Sequence, residues 1–432
     1  MSDTRIAGLH GRRVWDSRGR PTVEAEVRLR GGAIGRAIAP AGASTGSGEA
    51  IELRDGGTRL GGRDVQHAVG AVNGEIAAAL QGHDAADQSA IDRLLIALDG
   101  TPQKRRLGGN ALVAVSMAAL HAAANATGHP LYAYLLGDKP EAVMPLPEIQ
   151  IFGGGAHAAR RVDIQDFMVV APQARNFDQA LEWTAELYRA AGVLMEERGL
   201  LQGVADEGGY WPAFDSNEAA LDSLMQAIER AGFTPGQEIA VSLDIAASEF
   251  HQGGFYRLAR DSRTLDSDGM AEMLIRWLDK YPIVSIEDPL GENDAEGLRR
   301  FTAAVGHRVQ IVGDDFLVTN AERVTKAAAF GACNAVLLKP NQAGTVTEAK
   351  AALDAARAVG WGAIVSARSG ETEDVTIVHL AVGWGVGQLK VGSFARSERM
   401  AKWNEALRIE EALGPRARFA GRAPFKTEGR RG

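Results

Sequence analysis

Apolar and polar positions alternate over the first forty residues. Thr22 to Leu29 puts every second side chain on one apolar face, the period of a half-buried strand. Arg5 to Val14 precedes it across Asp16-Ser17-Arg18-Gly19-Arg20-Pro21, a run of turn formers, and Gly31-Gly32 leads into a third strand, Ala33 to Ala39. Ala41 to Gly48 is a loop of small residues with little packing of its own, predicted to be a mobile lid. The period then changes. Val65, Val69, Val72, Ile76 and Leu80 recur at helical spacing, and an Ala-rich helix follows with Asn110 as its expected N-cap.

Beyond Met144 short apolar runs end in charged residues, and each leads into a helical stretch. The run from Ala240 ends at Asp244, that from Ile283 at Glu287 and Asp288, and that from Gln310 at Asp314 and Asp315. Those from Ala335, Ala363 and Gly387 end at Lys339, Arg368 and Lys390. From Glu287 onward the ends succeed one another at intervals of 22 to 29 residues. A βα unit takes roughly 30 residues, since about 250 make an eightfold barrel, and such barrels place their chemistry at strand C-termini. The expectation is an α/β protein with an N-terminal α+β cap over 1–138 and a (β/α) barrel over 139–432.

The net charge of −8 argues against nucleic acid as the main partner, because phosphate-backbone binding needs a basic face. A small anionic substrate remains compatible, since a site can be locally positive. The single cysteine, Cys333, forms no intrachain disulfide and fits a reducing compartment. The N-terminus lacks a signal-peptide core. The most apolar stretch, Ala111 to Ala124, is too short to span a bilayer and contains Ser116 and His121. The reading is a cytoplasmic protein without a membrane partner, its basic tail from about Gly421 a surface strap or frayed end.

Asp244, Glu287 and Asp314 are three carboxylates expected at one barrel mouth, where they would repel one another without a cation. Oxygen ligands with no His or Cys nearby suit Mg²⁺. Any one of these acids alone reads equally well as a strand-end residue or a helix cap; three in succession at barrel period favour the metal. Lys339 and Lys390 come from later strands. A lysine near a divalent ion has its pKa lowered and can act as a base; the alternative is a pair of salt bridges to the acids. Together these parts suit removal of a proton α to a carboxylate. A lysine base with Mg²⁺ is the general pattern already known for one superfamily of such enzymes.

Eight ordered segments resemble the enolase family along nearly the whole chain: Asp16-Ser-Arg-Gly19, Gly42-Ala-Ser-Thr-Gly46, Asp206-Glu-Gly-Gly209, Leu243 to Phe250, Tyr281 to Asp288, Val312-Gly-Asp-Asp315, Ser369 to Asp374 and Arg408 to Gly414. The resemblance implies an N-terminal cap, an atypical (β/α)8 barrel of the TIM type and a homodimer. It also implies roles. Asp244, Glu287 and Asp314 resemble the tight-site Mg²⁺ ligands, and Ser44 the ligand of a second Mg²⁺ bound with substrate. Lys339 resembles the base, Glu207 the acid at the leaving hydroxyl, and Asp166 a catalytic-site carboxylate. Arg368 and Ser369 resemble the phosphate clamp, Lys390 the carboxylate partner and His157 a loop residue over the phosphate; Gln165 also matches.

The departures cluster. Ala367 stands where the family carries histidine, Asp166 where it carries glutamate, and Gly153 where it carries asparagine. Arg160 and Arg161 replace uncharged residues, Ala41 a serine, and Pro340 an apolar or aromatic residue. A lost acid or base costs about 10² to 10⁴ in rate. These departures lead to the expectation of a specialised paralogue acting on a modified phospho- or phosphono-carboxylate, such as a carboxyphosphonoenolpyruvate synthase of phosphonate antibiotic pathways. The alternative is phosphopyruvate hydratase itself, with a water or Arg160 replacing the imidazole. A retired scaffold is disfavoured, because it has no reason to keep six charged residues in one mouth.

Overall fold

The computed structural model describes residues 3–201 and 203–425. Residues 426–432 of the basic tail lie outside them; Gly421 to Phe425, where that tail begins, form a turn and a short 3-10 helix. No helix among the described residues is long and apolar enough to cross a membrane.

The alternating N-terminal segments form an antiparallel sheet, β1 (Ile6–Trp15), β2 (Pro21–Leu29) and β3 (Ile34–Ile38), in that order. Its apolar face packs on α1 (Gly109–Ala126). That helix is buried on nearly every side, because the cap sheet covers one flank and the barrel helix Val346–Ala358 approaches another. Gly35 permits the close approach. A Cβ there would lie 2.1 Å from the Ala118 carbonyl oxygen and 2.1 Å from the Ala122 nitrogen, backbone that cannot yield. Gly35→Ala should therefore destabilise the protein by about 3 kcal/mol, read as a lower thermal midpoint; an unchanged midpoint would show that sheet and helix can separate freely.

Two local expectations need correction. Asn110 is not the N-cap: the helix begins at Gly109 with Gly108 at the cap. Asn110 instead accepts from the Leu53 amide (3.1 Å) and donates to its carbonyl (3.2 Å), fastening the extended segment after the lid. The helical run from Val65 to Leu80 is not uniform. Gln66–Ala71 passes into a π turn, Val72–Ile76, before Ala77–Leu80. Within that turn Asn73 exchanges two 2.8 Å hydrogen bonds with the backbone of Gly11.

Eight strands close a barrel: β4 (Leu146–Gly153), β5 (Asp166–Val170), β6 (Ala240–Asp244), β7 (Ile283–Glu287), β8 (Gln310–Gly313), β9 (Ala335–Leu338), β10 (Gly362–Ser366) and β11 (Gln388–Gly392). The ring runs β7-β8-β9-β10-β11-β4-β5-β6. β5 is antiparallel to both neighbours, and the other pairs are parallel. Most of the following helices start on a side chain that accepts from the backbone two or three residues into the helix: Asn176, Ser216, Asp266, Asp294, Asn320 and Thr345. Pro340, the departure beside Lys339, opens a short helix at its first position, where a missing N–H costs nothing.

Candidate active site

Side chains alternate across a strand, so residues two apart share a face. Asp244 and Glu287 end adjacent strands in register, and Asp314 follows β8 directly. All three are buried at one mouth with Lys339 and Lys390. Lys390 Nζ donates to Asp244 Oδ2 (2.7 Å) and Glu287 Oε2 (2.8 Å) and lies 3.4 Å from Asp166 Oδ2. Lys339 Nζ donates to Asp314 Oδ2, whose other oxygen accepts from Gln342 Nε2 (2.8 Å). Gln165 Nε2 donates to Asp244 Oδ2 (3.0 Å).

Asp166 reaches the same mouth by a different route. Because β5 runs backwards, its first residue, not its last, faces the opening, and Asp166 pairs with Asp244. His157 Nε2 donates to Asp166 Oδ1 (2.9 Å), and its Nδ1 lies 3.8 Å from Glu207 Oε1 and 3.5 Å from Ser369 Oγ. Gln150 Nε2 also donates to Asp166, while Gln150 Oε1 accepts from the Gly209 amide (2.8 Å). One amide thus ties Asp166 to the loop that carries Glu207. On the lid side, Arg368 donates to Glu49 (2.9 Å) and to the Ser44 carbonyl (3.1 Å).

The electrostatics follow from burial and partners. Burial and Asp244 push the Glu287 carboxyl well above the usual range, although Lys390 opposes them. Burial works against the charge of Lys339, but Asp314 more than offsets it, so the ammonium is held above its ordinary pKa. The ion pair with Asp314 is the salt-bridge alternative that the sequence offered beside a lowered pKa near a divalent ion. Burial likewise opposes charge on His157, yet Asp166 and Glu207 raise it to about 9. A folded pKa above the unfolded value of about 6.5 gives stability that is complete below pH 6.5 and lost as pH rises through 9. That pair, counted once, contributes up to about 3 kcal/mol. Denaturant titrations at pH 6.5 and 9.5 should show the fall, and His157→Asn should flatten it.

The donor set suits a hard cation: Asp244, Glu287 and Asp314 offer only oxygen. Glu287 Oε1 is buried and has no hydrogen-bond partner, and neither has Gln165 Oε1. A second acidic group, Asp288, Asp314 and Asp315, also brings ligand atoms within 4.8 Å of one another. There, however, Asp288 already accepts from the Asp314 and Asp315 amides (2.9 and 2.8 Å), so its oxygens are committed to shaping the turn.

Gln150, Glu49 and Gln342 were missed from the sequence. The signal for Gln150 was present: it is polar and buried in the strand Leu146–Gly153, two positions after Glu148 and so on the same face. Arg160 and Arg161 do not enter the mouth. Arg160 pairs with Glu249 (2.7 Å), and Arg161 lies over the Trp211 ring, 4.7 Å from its centroid. Those contacts do not support Arg160 as a substitute for the imidazole.

Comparison with known proteins agrees with the site. The description "Enolase, N-terminal domain" matches residues 6–135, and "Enolase, C-terminal TIM barrel domain" matches residues 141–428. A protein named Enolase 1 from Desulfitobacterium hafniense (strain Y51) is 48% identical over 432 residues, covering 99% of each chain. This overturns the expectation of a specialised synthase. The departures do not empty the acid side of the mouth: Gln150 reaches the shortened Asp166, and His157 lies against Asp166 and Glu207. From its cap to its barrel, the chain belongs to the enolase family.

Proposed function

We propose that this protein is a phosphopyruvate hydratase, removing water from 2-phospho-D-glycerate to give phosphoenolpyruvate. The observation that carries the reading is the mouth itself: three carboxylates and two ammoniums gathered from five barrel strands, with Glu287 Oε1 buried and unpartnered among them. Asp244, Glu287 and Asp314 would hold Mg²⁺, and Ser44 would serve a second ion bound with substrate. When bound, Mg²⁺ neutralises charge that the substrate carboxylate gains as its α proton leaves.

The chain's own groups do the rest. Lys339, as the neutral amine, would take the proton from C2. Lys390 faces the substrate carboxylate. Glu207 delivers a proton to the C3 hydroxyl as it departs, with His157 and Asp166 holding the acid side in place. Arg368 and Ser369 meet the phosphate, and Gln165 orients Asp244. The division into a cap over 1–138 and a barrel over 139–432, a homodimer and a cytoplasmic location complete the reading.

The test is phosphoenolpyruvate formation from 2-phospho-D-glycerate with Mg²⁺, followed by ultraviolet absorbance beside an authentic enolase. A rate within about tenfold supports the reading; one lower by about 10³ sinks it.

A further inference from the structure

Below the mouth the barrel interior is polar where branched apolar side chains ordinarily fill it. Glu148 on β4 is 1% exposed, and its carboxylate accepts from Gln388 Nε2 and from Ser242 Oγ (3.3 Å). Gln388 and Gln310 exchange two hydrogen bonds across the barrel (2.8 and 3.0 Å), and Ser285 donates to Gln310 (3.0 Å). Each member lies on the strand and face of a mouth residue: Ser242 below Asp244, Ser285 below Glu287, Gln310 below Asp314 and Gln388 below Lys390. Glu148 is the only acid of this layer, its bonding partners are neutral, and it pairs with Lys390 in the β11–β4 register.

We infer that Glu148 is a positioning residue for Lys390: its carboxylate, one side-chain layer below, is the counter-charge that keeps the ammonium in place once Asp244 and Glu287 are committed to a divalent cation. The inference rests on the Mg²⁺ reading above. Lys390 now spends its charge on Asp244 and Glu287. An oxygen shared between an ammonium and a divalent ion loses most of its hold on the ammonium, and a buried ammonium without a nearby anion is costly to keep in place. Glu148 is placed to prevent that loss.

Glu148→Gln in the full chain tests the role. The amide has the same size and can still bond Gln388 and Ser242, so a residue that merely fills the barrel predicts no functional change. As counter-charge, its loss should weaken Mg²⁺ binding about tenfold by calorimetry without substrate. It should also raise KM for 2-phospho-D-glycerate about tenfold, with kcat within about threefold and the metal-free thermal midpoint retained. Wild-type Mg²⁺ affinity and KM in the variant would overturn the inference while leaving the function intact. Failure of the wild-type protein to bind Mg²⁺ would instead overturn the reading beneath it. If Glu148→Gln does not fold, Gln388→Leu, which removes the donor that seats the carboxylate, should move Mg²⁺ affinity and KM the same way; unchanged values would overturn the inference.

Discussion

Replacing Lys339 by alanine should lower turnover of 2-phospho-D-glycerate by about 10⁴ and abolish exchange of the substrate α proton with solvent deuterium. Lys339 ends β9, is 8% exposed, and has its ammonium on Asp314. The backbone that presents it is fixed independently, since its own amide donates to Thr319 Oγ1 (2.9 Å) and Pro340 starts the next helix. Truncation therefore removes the amine while the strand end stays in place. Mg²⁺ binding should persist, because Asp314 loses a competing cation. Magnetic resonance of the substrate in deuterium oxide measures the exchange, and full retained exchange would remove Lys339 from the role of base.

The second large effect separates the two halves of the reaction. Glu207→Gln should cut phosphoenolpyruvate formation by about 10³ yet leave the α proton exchanging at a measurable rate. Glu207 lies 3.8 Å from His157 Nδ1, on a loop pinned at both ends. Its carbonyl accepts from the Ser393 amide (2.8 Å), and Gly209 donates to Gln150. Gly208 there adopts a φ of +94°, and a Cβ would come 2.4 Å from the Ala395 carbonyl oxygen, so the loop fits only as glycine. The amide substitution preserves this frame while removing the transferable proton. Equal loss of exchange and product formation would show that Glu207 shapes the whole site and does not serve the leaving group alone.

The positions of Asp244, Glu287, Asp314, Lys339, Arg368 and Lys390 were legible because each ends an apolar run, and from Glu287 onward those ends recur at barrel spacing. Asp166 was not legible from spacing. Asp-Phe-Met-Val-Val reads alike in either direction, and only pairing with β4 and β6 reveals that the strand is reversed. The state of Lys339 was also hidden, because it depends on which carboxylate lies within reach. The misjudged substrate had a simpler cause. Asp166 and Ala367 are visible as losses in the sequence, but the bonds that Gln150 and His157 make to Asp166 from other segments are a property of three-dimensional distance. The π turn at Val72–Ile76 escaped for a similar reason: its apolar spacing still reads as an ordinary helix.

The reversed strand also bears on how the chain reaches its native state. β4 and β5 meet as a hairpin whose inner pair, Gly153 and Asp166, is separated by one short loop. The seam that closes the ring joins Leu146 to Gln388, about 240 residues away. Loop-closure entropy makes the first contact fast and the second slow. Pulse-labelled hydrogen exchange during refolding should therefore protect the Ile149–Val169 ladder before the amides of the β11–β4 seam. The catalytic mouth, which needs both, would then form only as the barrel shuts.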